Sequence, residues 1–350
     1  MLVAYISGHG FGHATRTLEV LRAVRARRPA LPLGIVSALP RWLIEKAGLE
    51  PMFLRQAECD VGLVQHDALH IDEKGTAERC RAFEAKFEAR AREEGAFLSA
   101  SRARLVLGDV PPLAFAAAAE ARVPSLALAN FSWDDIYRHL ALREPTLLAS
   151  AERAAQAYSR ADLLLELGFA CDLSAFARRY YVGFVARRPK MSRAEARRRL
   201  GLDERPTALL SFGGIRLRGL EPGRFAGDDG VRYLVPEQLP EERLAGLGLG
   251  YPDLVGAVDV VVSKPGYGIV TDALGAGTRL VYTERGDFPE YPVMVAEMPH
   301  YLPCVHVTNE ELRAGRIGKA VSQVLGMPWP SEPDLGGAER AAERILAYLD

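Results

Sequence analysis

Cysteine is scarce in this chain of 350 residues, and its four examples, Cys59, Cys80, Cys171 and Cys304, are scattered singly. Without close pairs they offer neither a zinc-ligand spacing nor a disulfide framework, and they read as reduced core thiols. Excess charge of either sign is missing too. With 44 basic residues against 45 acidic ones, there is no concentrated basic face for a polyanion, so nucleic acid is not an expected partner. No run approaches the roughly 20 apolar residues of a membrane span. No basic leader precedes the strand-length run Leu2–Ser7, so the expected location is the cytoplasm. Two signatures are absent as well. The glycines of the first loop lack the G-x-G-x-x-G spacing of a nicotinamide-binding fingerprint. No Asp-x-Asp pair lies in a suitable loop, and Asp228-Asp229 in a Gly-rich turn reads as solvent-facing, so no metal site is expected.

What is present is a chain 49% hydrophobic, long enough for two domains with separate cores. Short apolar runs alternate with helix-period segments, the pattern of parallel sheets covered by helices. The runs are Leu2–Ser7, Leu33–Ser37, Leu105–Leu107, Ser125–Ala129, Leu163–Leu167, Ala208–Phe212, Asp259–Ser263, Arg279–Tyr282 and Val305–Val307. In the first helix Ala14, Leu18, Leu21 and Val24 share a stripe, while Arg16, Arg22, Arg25 and Arg28 point elsewhere. The charged segment from Thr76 to Ser101 reads as one exposed helix. A polar, proline-containing stretch, Ala186-Arg187-Arg188-Pro189-Lys190, reads as a linker. The expected division is therefore 1–185, 186–335, and a helix over 336–350 returning toward the first domain.

Five segments carry chemistry. The loop Ser7-Gly8-His9-Gly10-Phe11-Gly12-His13 follows the first strand, and its three glycines let the backbone turn sharply and a ligand approach closely. His13, at the helix start, can accept a proton from a sugar or alcohol hydroxyl because an imidazole titrates near neutral pH, or can merely hydrogen-bond the tight loop. His9 reads as a residue that hydrogen-bonds the tight loop. Asp109 ends the strand after Leu105 and can either orient His13 or cap the helix begun by Pro111 and Pro112.

In the second half, Ser211-Phe212-Gly213-Gly214 ends a strand in two glycines whose N–H groups can face phosphate. The segment from Asp259 to Leu274 runs from a buried strand through Lys264, Gly266, Tyr267 and Gly268 into a helix whose N-terminus can hold a diphosphate. Asp272, one turn in, can take the ribose hydroxyls or merely complement the helix dipole; Lys264 can add charge or lie on the surface. The acidic loop holding Asp287 and Glu290 suits hydroxyl recognition on a sugar, or is simply solvated.

At these segments the sequence resembles the GT-B glycosyltransferase superfamily, including the cell-wall N-acetylglucosaminyltransferase and plant UDP-glycosyltransferases. A closer resemblance is to the glycosyltransferase-like N-terminal part of plant arabinokinase-type sugar kinases. It rests on Gly8 through Arg16, on the Lys-x-Gly-Tyr-Gly turn Lys264–Gly268, and on the acidic loop Asp287–Pro292. The resemblance implies an α/β chain of two Rossmann-like domains whose parallel sheets face one another across a cleft. It implies His13 as the acceptor's base, supported by Asp109, with Gly8, His9, Gly10 and Gly12 near the acceptor. It places Gly213, Gly214, Lys264, Gly266, Tyr267, Gly268, Asp272, Asp287 and Glu290 on the donor side. Glu290 departs from the Gln that many donor sites use for the sugar, and the plant enzymes' long donor signature is absent. The implied activity is transfer of a hexosyl or N-acetylhexosaminyl group from a nucleoside diphosphate sugar, UDP-linked, to an unidentified acceptor hydroxyl. Helix N-terminal amides rather than a metal or other cofactor would stabilise the departing diphosphate. The alternatives are a sugar-nucleotide 2-epimerase on the same fold and a sugar-nucleotide-binding protein without catalysis.

Overall fold

The computed structural model describes residues 1–66, 70–212, 225, 230–235 and 239–350. Gly213, Gly214 and Asp228-Asp229 therefore lie outside the described residues. The chain divides into two compact units, the first made of Met1–His66, Ile71–Val185 and Asp334–Asp350, the main body of the second being Ala186–Pro333.

The first unit holds a sheet of seven strands: β1 Leu2–Ile6, β2 Leu33–Ser37, β3 Phe53–Gln56, β4 Leu105–Asp109, β5 Ser125–Ala129, β6 Leu163–Leu167 and β7 Arg179–Gly183. They pair in the order β3-β2-β1-β4-β5-β6-β7, all parallel. β1, β2, β4 and β5 are buried along their whole length, as strands covered by helices on both faces must be, and this is why they read as continuous apolar runs. The order reverses between β1 and β4, and their register sets Ile6 opposite Asp109. Ligands of open α/β sheets gather at such a switch, beyond the carboxyl ends of the strands.

The second unit holds β8 Thr207–Leu210, β9 Arg232–Leu234, β10 Val260–Ser263, β11 Arg279–Tyr282 and β12 Cys304–His306. Among the described residues they pair in parallel as β12-β11-β10-β8-β9, with the reversal between β8 and β10. Its core is built on Leu210, Val260, Val262 and Val281, with Val321 and Val324 from a covering helix.

Two expectations need correction. The segment Thr76 to Ser101 is two helices, Glu73–Glu84 and Phe87–Ala100, separated at Ala85 and Lys86. Nor is it simply exposed, since Phe83, Phe87, Ala91 and Leu98 are buried. The charges conceal a narrow apolar face that docks on the unit's core. The helix Gly337–Ala347 belongs to the first unit and packs on the first helix, Phe11–Arg27. Arg27 pairs with Glu343 at 3.0 Å and Arg28 with Asp350 at 2.5 Å. No helix among the described residues is long and apolar enough to cross a membrane.

Candidate functional site

The first helix begins directly after the β1 loop, with Gly10 as its N-cap at φ 87°. That left-handed backbone favours glycine, and it brings His13 into the helix's first turn. His13 Nδ1 lies 2.9 Å from Asp109 Oδ1, joining the ends of β1 and β4 across the switch. Asp109 does not cap the following helix, Pro112–Ala121, whose N-cap is Pro111. Its fully buried carboxylate turns instead to the first helix. Arg16 grips it with a two-pronged contact, Nε to Oδ2 at 2.7 Å and Nη2 to Oδ1 at 2.5 Å. Thr17 Oγ1 donates to Oδ2 at 2.5 Å.

Burial by itself pushes the Asp109 carboxyl up from its ordinary 3.8, but the Arg16 charge, then the His13 charge, and their hydrogen bonds outweigh it and hold the group at about 2. An ionised carboxylate only accepts hydrogen bonds, so across the 2.9 Å contact His13 Nδ1 is the donor, and in a neutral ring that arrangement puts the lone pair on Nε2. Phe131 and Trp133 wall the ring, with centroids 5.3 and 6.4 Å away.

Two features frame this group. Val110, next after Asp109, has φ 68°, a strained backbone for a β-branched residue and a mark of functional sites. It is held there by Tyr158, whose hydroxyl donates to the Val110 carbonyl at 2.7 Å. His9, half-buried, sits over Gly62, where a Cβ would fall 2.2 Å from the ring. Its Nε2 lies 3.7 Å from Asp60, whose carboxylate also accepts from Trp133 Nε1 at 2.9 Å. Gly8 packs against Ala38, and Gly12 gives its carbonyl to Thr15. Beside this loop, exposed Phe11 meets exposed Trp42 edge-on at 6.1 Å.

In the second unit, β10 ends at Ser263 and Gly266 is the N-cap of the helix Tyr267–Ala276, with no side-chain cap on its first N–H groups. Lys264 is half-buried, Tyr267 buried. Gly266 adjoins Arg285: a Cβ there would lie 3.9 Å from Arg285 Nη1. That guanidinium donates to buried Glu290 at 3.1 Å and stacks 4.5 Å over Phe288, while its Nε is buried without a hydrogen-bond partner. Asp287 is exposed. Asp272 is buried, and Arg187 grips it with Nε to Oδ1 at 3.0 Å and Nη2 to Oδ2. Arg187 also lies 5.6 Å over the Tyr251 ring. Tyr251 shares a 2.6 Å hydrogen bond with Ser211 at the end of β8, and burial raises its phenol to about 12. Among the described residues no group of three or more His, Cys, Asp or Glu side chains is gathered to hold a metal ion.

No family model matches the chain. Its sequence is 30% identical over 349 residues to the L-arabinokinase of Arabidopsis thaliana, covering 97% of this chain but 33% of that protein. The chain thus spans about a third of the relative it matches. Among solved structures, the Os79 protein of O. sativa, in complex with UDP, superposes with a TM-score of 0.62 at 13% identity over 99% of this chain and all of its own. The glycotransferase of kitacinnamycin superposes at 0.59 with 17% identity, over 99% and 98% of the two chains. The chain has the GT-B glycosyltransferase fold.

Within this GT-B fold the structure brings together His13, Asp109 and the glycine loop in one unit. In the other it gathers Lys264, Gly266, Tyr267, Gly268 and, through Arg285, Glu290. Reading the sequence missed Arg16, Thr17, Asn130, Arg187 and Arg285. Arg16, expected off the apolar stripe, is 3% exposed. A signal was available: His13, Arg16, Thr17, Val20 and Val24 share a helix face by their three- and four-residue spacing, so Arg16 continues a buried row.

Proposed function

We propose that this chain transfers a hexosyl or N-acetylhexosaminyl group from a UDP-linked sugar to an acceptor hydroxyl. His13 Nε2 takes the acceptor's proton as the glycosyl bond to the diphosphate breaks and the new one forms. Asp109 orients the ring and stabilises the imidazolium. Phe11 and Trp42 offer apolar faces to the acceptor. Gly266, Gly268 and the first N–H groups of Tyr267–Ala276 receive the diphosphate, with positive charge from Lys264 and Arg285. Asp287 and Glu290 address the sugar, and Asp272 the ribose. The chemistry needs no cofactor beyond the donor.

The observation that carries the reading is the 2.9 Å contact between His13 and an ionised, buried Asp109 at the switch of the first sheet. Calorimetry with UDP, UDP-glucose and UDP-N-acetylglucosamine, followed by UDP release against a panel of hydroxyl acceptors, tests it. His13→Ala should lower turnover by roughly 10²–10⁴-fold while UDP binding is unchanged. Absence of binding to all three nucleotides at millimolar concentration, or wild-type turnover in His13→Ala, would overturn it.

A second reading, binding without transfer, draws on the Arg187 grip. A ribose can reach the Asp272 carboxylate only by sharing it with, or displacing, that guanidinium. UDP-sugar binding without UDP release from any acceptor mixture would favour this reading, and an epimer formed from donor alone would favour the epimerase.

A further inference from the structure

The Asp109 carboxylate has four lone-pair positions, and all four are used: His13 Nδ1 and Arg16 Nη2 on Oδ1, Arg16 Nε and Thr17 Oγ1 on Oδ2. The remaining prong of Arg16, Nη1, donates to Asn130 Oδ1 at 2.5 Å, at the end of β5. Asn130 Nδ2 in turn donates to the Phe169 carbonyl at 3.5 Å, beyond the end of β6. The guanidinium is thus fixed at both ends, and its plane fixes the carboxylate's. A lysine could supply the charge but not the fork.

This arrangement decides where His13 keeps its proton. Arg16 Nη2 lies 3.1 Å from His13 Nδ1. In the Nε2–H tautomer, Nδ1 would present its lone pair to Arg16 but also to the negative Oδ1 at 2.9 Å. In the Nδ1–H tautomer the ring donates to Oδ1, and Arg16 does the same beside it. Which contact governs depends on the carboxylate staying ionised and turned toward the ring, and Arg16 makes the largest contribution to the first and a two-pronged contact to the second.

We propose that Arg16, held by Asn130, is a positioning residue that locks His13 in the Nδ1–H tautomer with Nε2 bare and ready to accept a proton. The inference rests on the reading of His13 as the base, and it extends that reading to a side chain that touches neither substrate nor reacting atoms. An imidazole in the wrong tautomer forfeits about 10⁴-fold in turnover in a serine-protease triad, so a partly mixed population forfeits less.

The test reads the tautomer directly, on the protein alone. Nitrogen-15 shifts of the His13 ring, assigned through His13→Gln, are compared in wild type, Arg16→Lys and the milder Asn130→Ala, which keeps the Arg16–Asp109 fork but frees its outer prong. Wild type should show a protonated Nδ1 and a bare Nε2. Arg16→Lys should show a mixture, with turnover lower by roughly 10- to 100-fold and donor KM unchanged. Asn130→Ala should fall between them. If Asn130→Ala and every folded Arg16 variant keep the wild-type ring signature, the proposal is overturned, whatever their stability. Because the ring is observed without substrate, a tautomer shift in a protein that transfers no sugar would sink the transferase reading and leave the Arg16 assignment standing.

Discussion

Each unit of this protein clamps a buried aspartate with an arginine, and the two clamps use the same pair of nitrogens, Nε and Nη2. They differ in what the carboxylate has left to give. Asp109 comes from a strand end at the switch of its sheet and, beyond Arg16, also serves His13 and Thr17. Asp272 comes from within a helix, and its partner Arg187 comes from the segment that enters the second unit. The first clamp holds a chemical group in place; the second ties a chain segment to a helix. A buried ion pair is therefore weak evidence for catalysis by itself. In the proposed function the difference is a third partner, His13, placed to move a proton.

Breaking the first clamp should cost most. Asp109→Ala leaves the 3%-exposed Arg16 guanidinium without its counter-charge, and denaturant unfolding should show a loss of about 3–5 kcal/mol. The matching change at Asp272 leaves Arg187, 25% exposed at its side chain, closer to water. Asp272→Ala should lose about 1–3 kcal/mol of stability. If it also weakens UDP binding while Arg187→Met does not, the ribose contact is real. Equal effects of the two changes on affinity would reduce Asp272 to scaffolding.

Acid sharpens the contrast. Asp109 is depressed from 3.8 to about 2, so its contribution to stability is fully present above about pH 4 and fades as pH falls toward 2. Removing Arg16 takes away the largest opposition to the burial penalty, so Arg16→Gln should move the acid-unfolding midpoint upward. A midpoint that stays put would mean that Arg16 does not set the Asp109 ionisation.

The smallest effect is expected at Val110. Relief of its φ of 68° should return about 1–3 kcal/mol, against a similar loss from unburying a valine side chain. Val110→Gly should therefore change stability by no more than about 1 kcal/mol. A large loss would show that the strain is not where the dihedral places it.

The sequence discloses the inner strands well and the outer ones poorly, for a physical reason. β3, β7 and β9, which the reading omitted, are all edge strands, and their residues are largely half-buried or exposed. They lack the continuous apolar run that burial on both faces imposes on β1, β4 and β5. The same logic governs the site. The glycine loop, His13 and Asp109 stand at strand ends, where local pattern marks them. Arg16 carries a charge that ordinarily signals solvent, and its meaning lies in a partner 93 residues away. The pairing of Arg187 with Asp272, 85 residues apart, was hidden in the same way.

One feature of the first unit bears on its synthesis. Its body is Met1–Val185, but the helix Gly337–Ala347 that covers the first helix is encoded beyond Pro333. Translation must therefore pass through all of Ala186–Pro333 before that cover exists, an interval on the order of ten seconds at roughly 5–20 residues per second. During it the face of Phe11–Arg27 that the helix Gly337–Ala347 will cover is open on the ribosome. The window for misassociation thus belongs to the nascent chain, and it closes when the helix that follows the second unit emerges and docks.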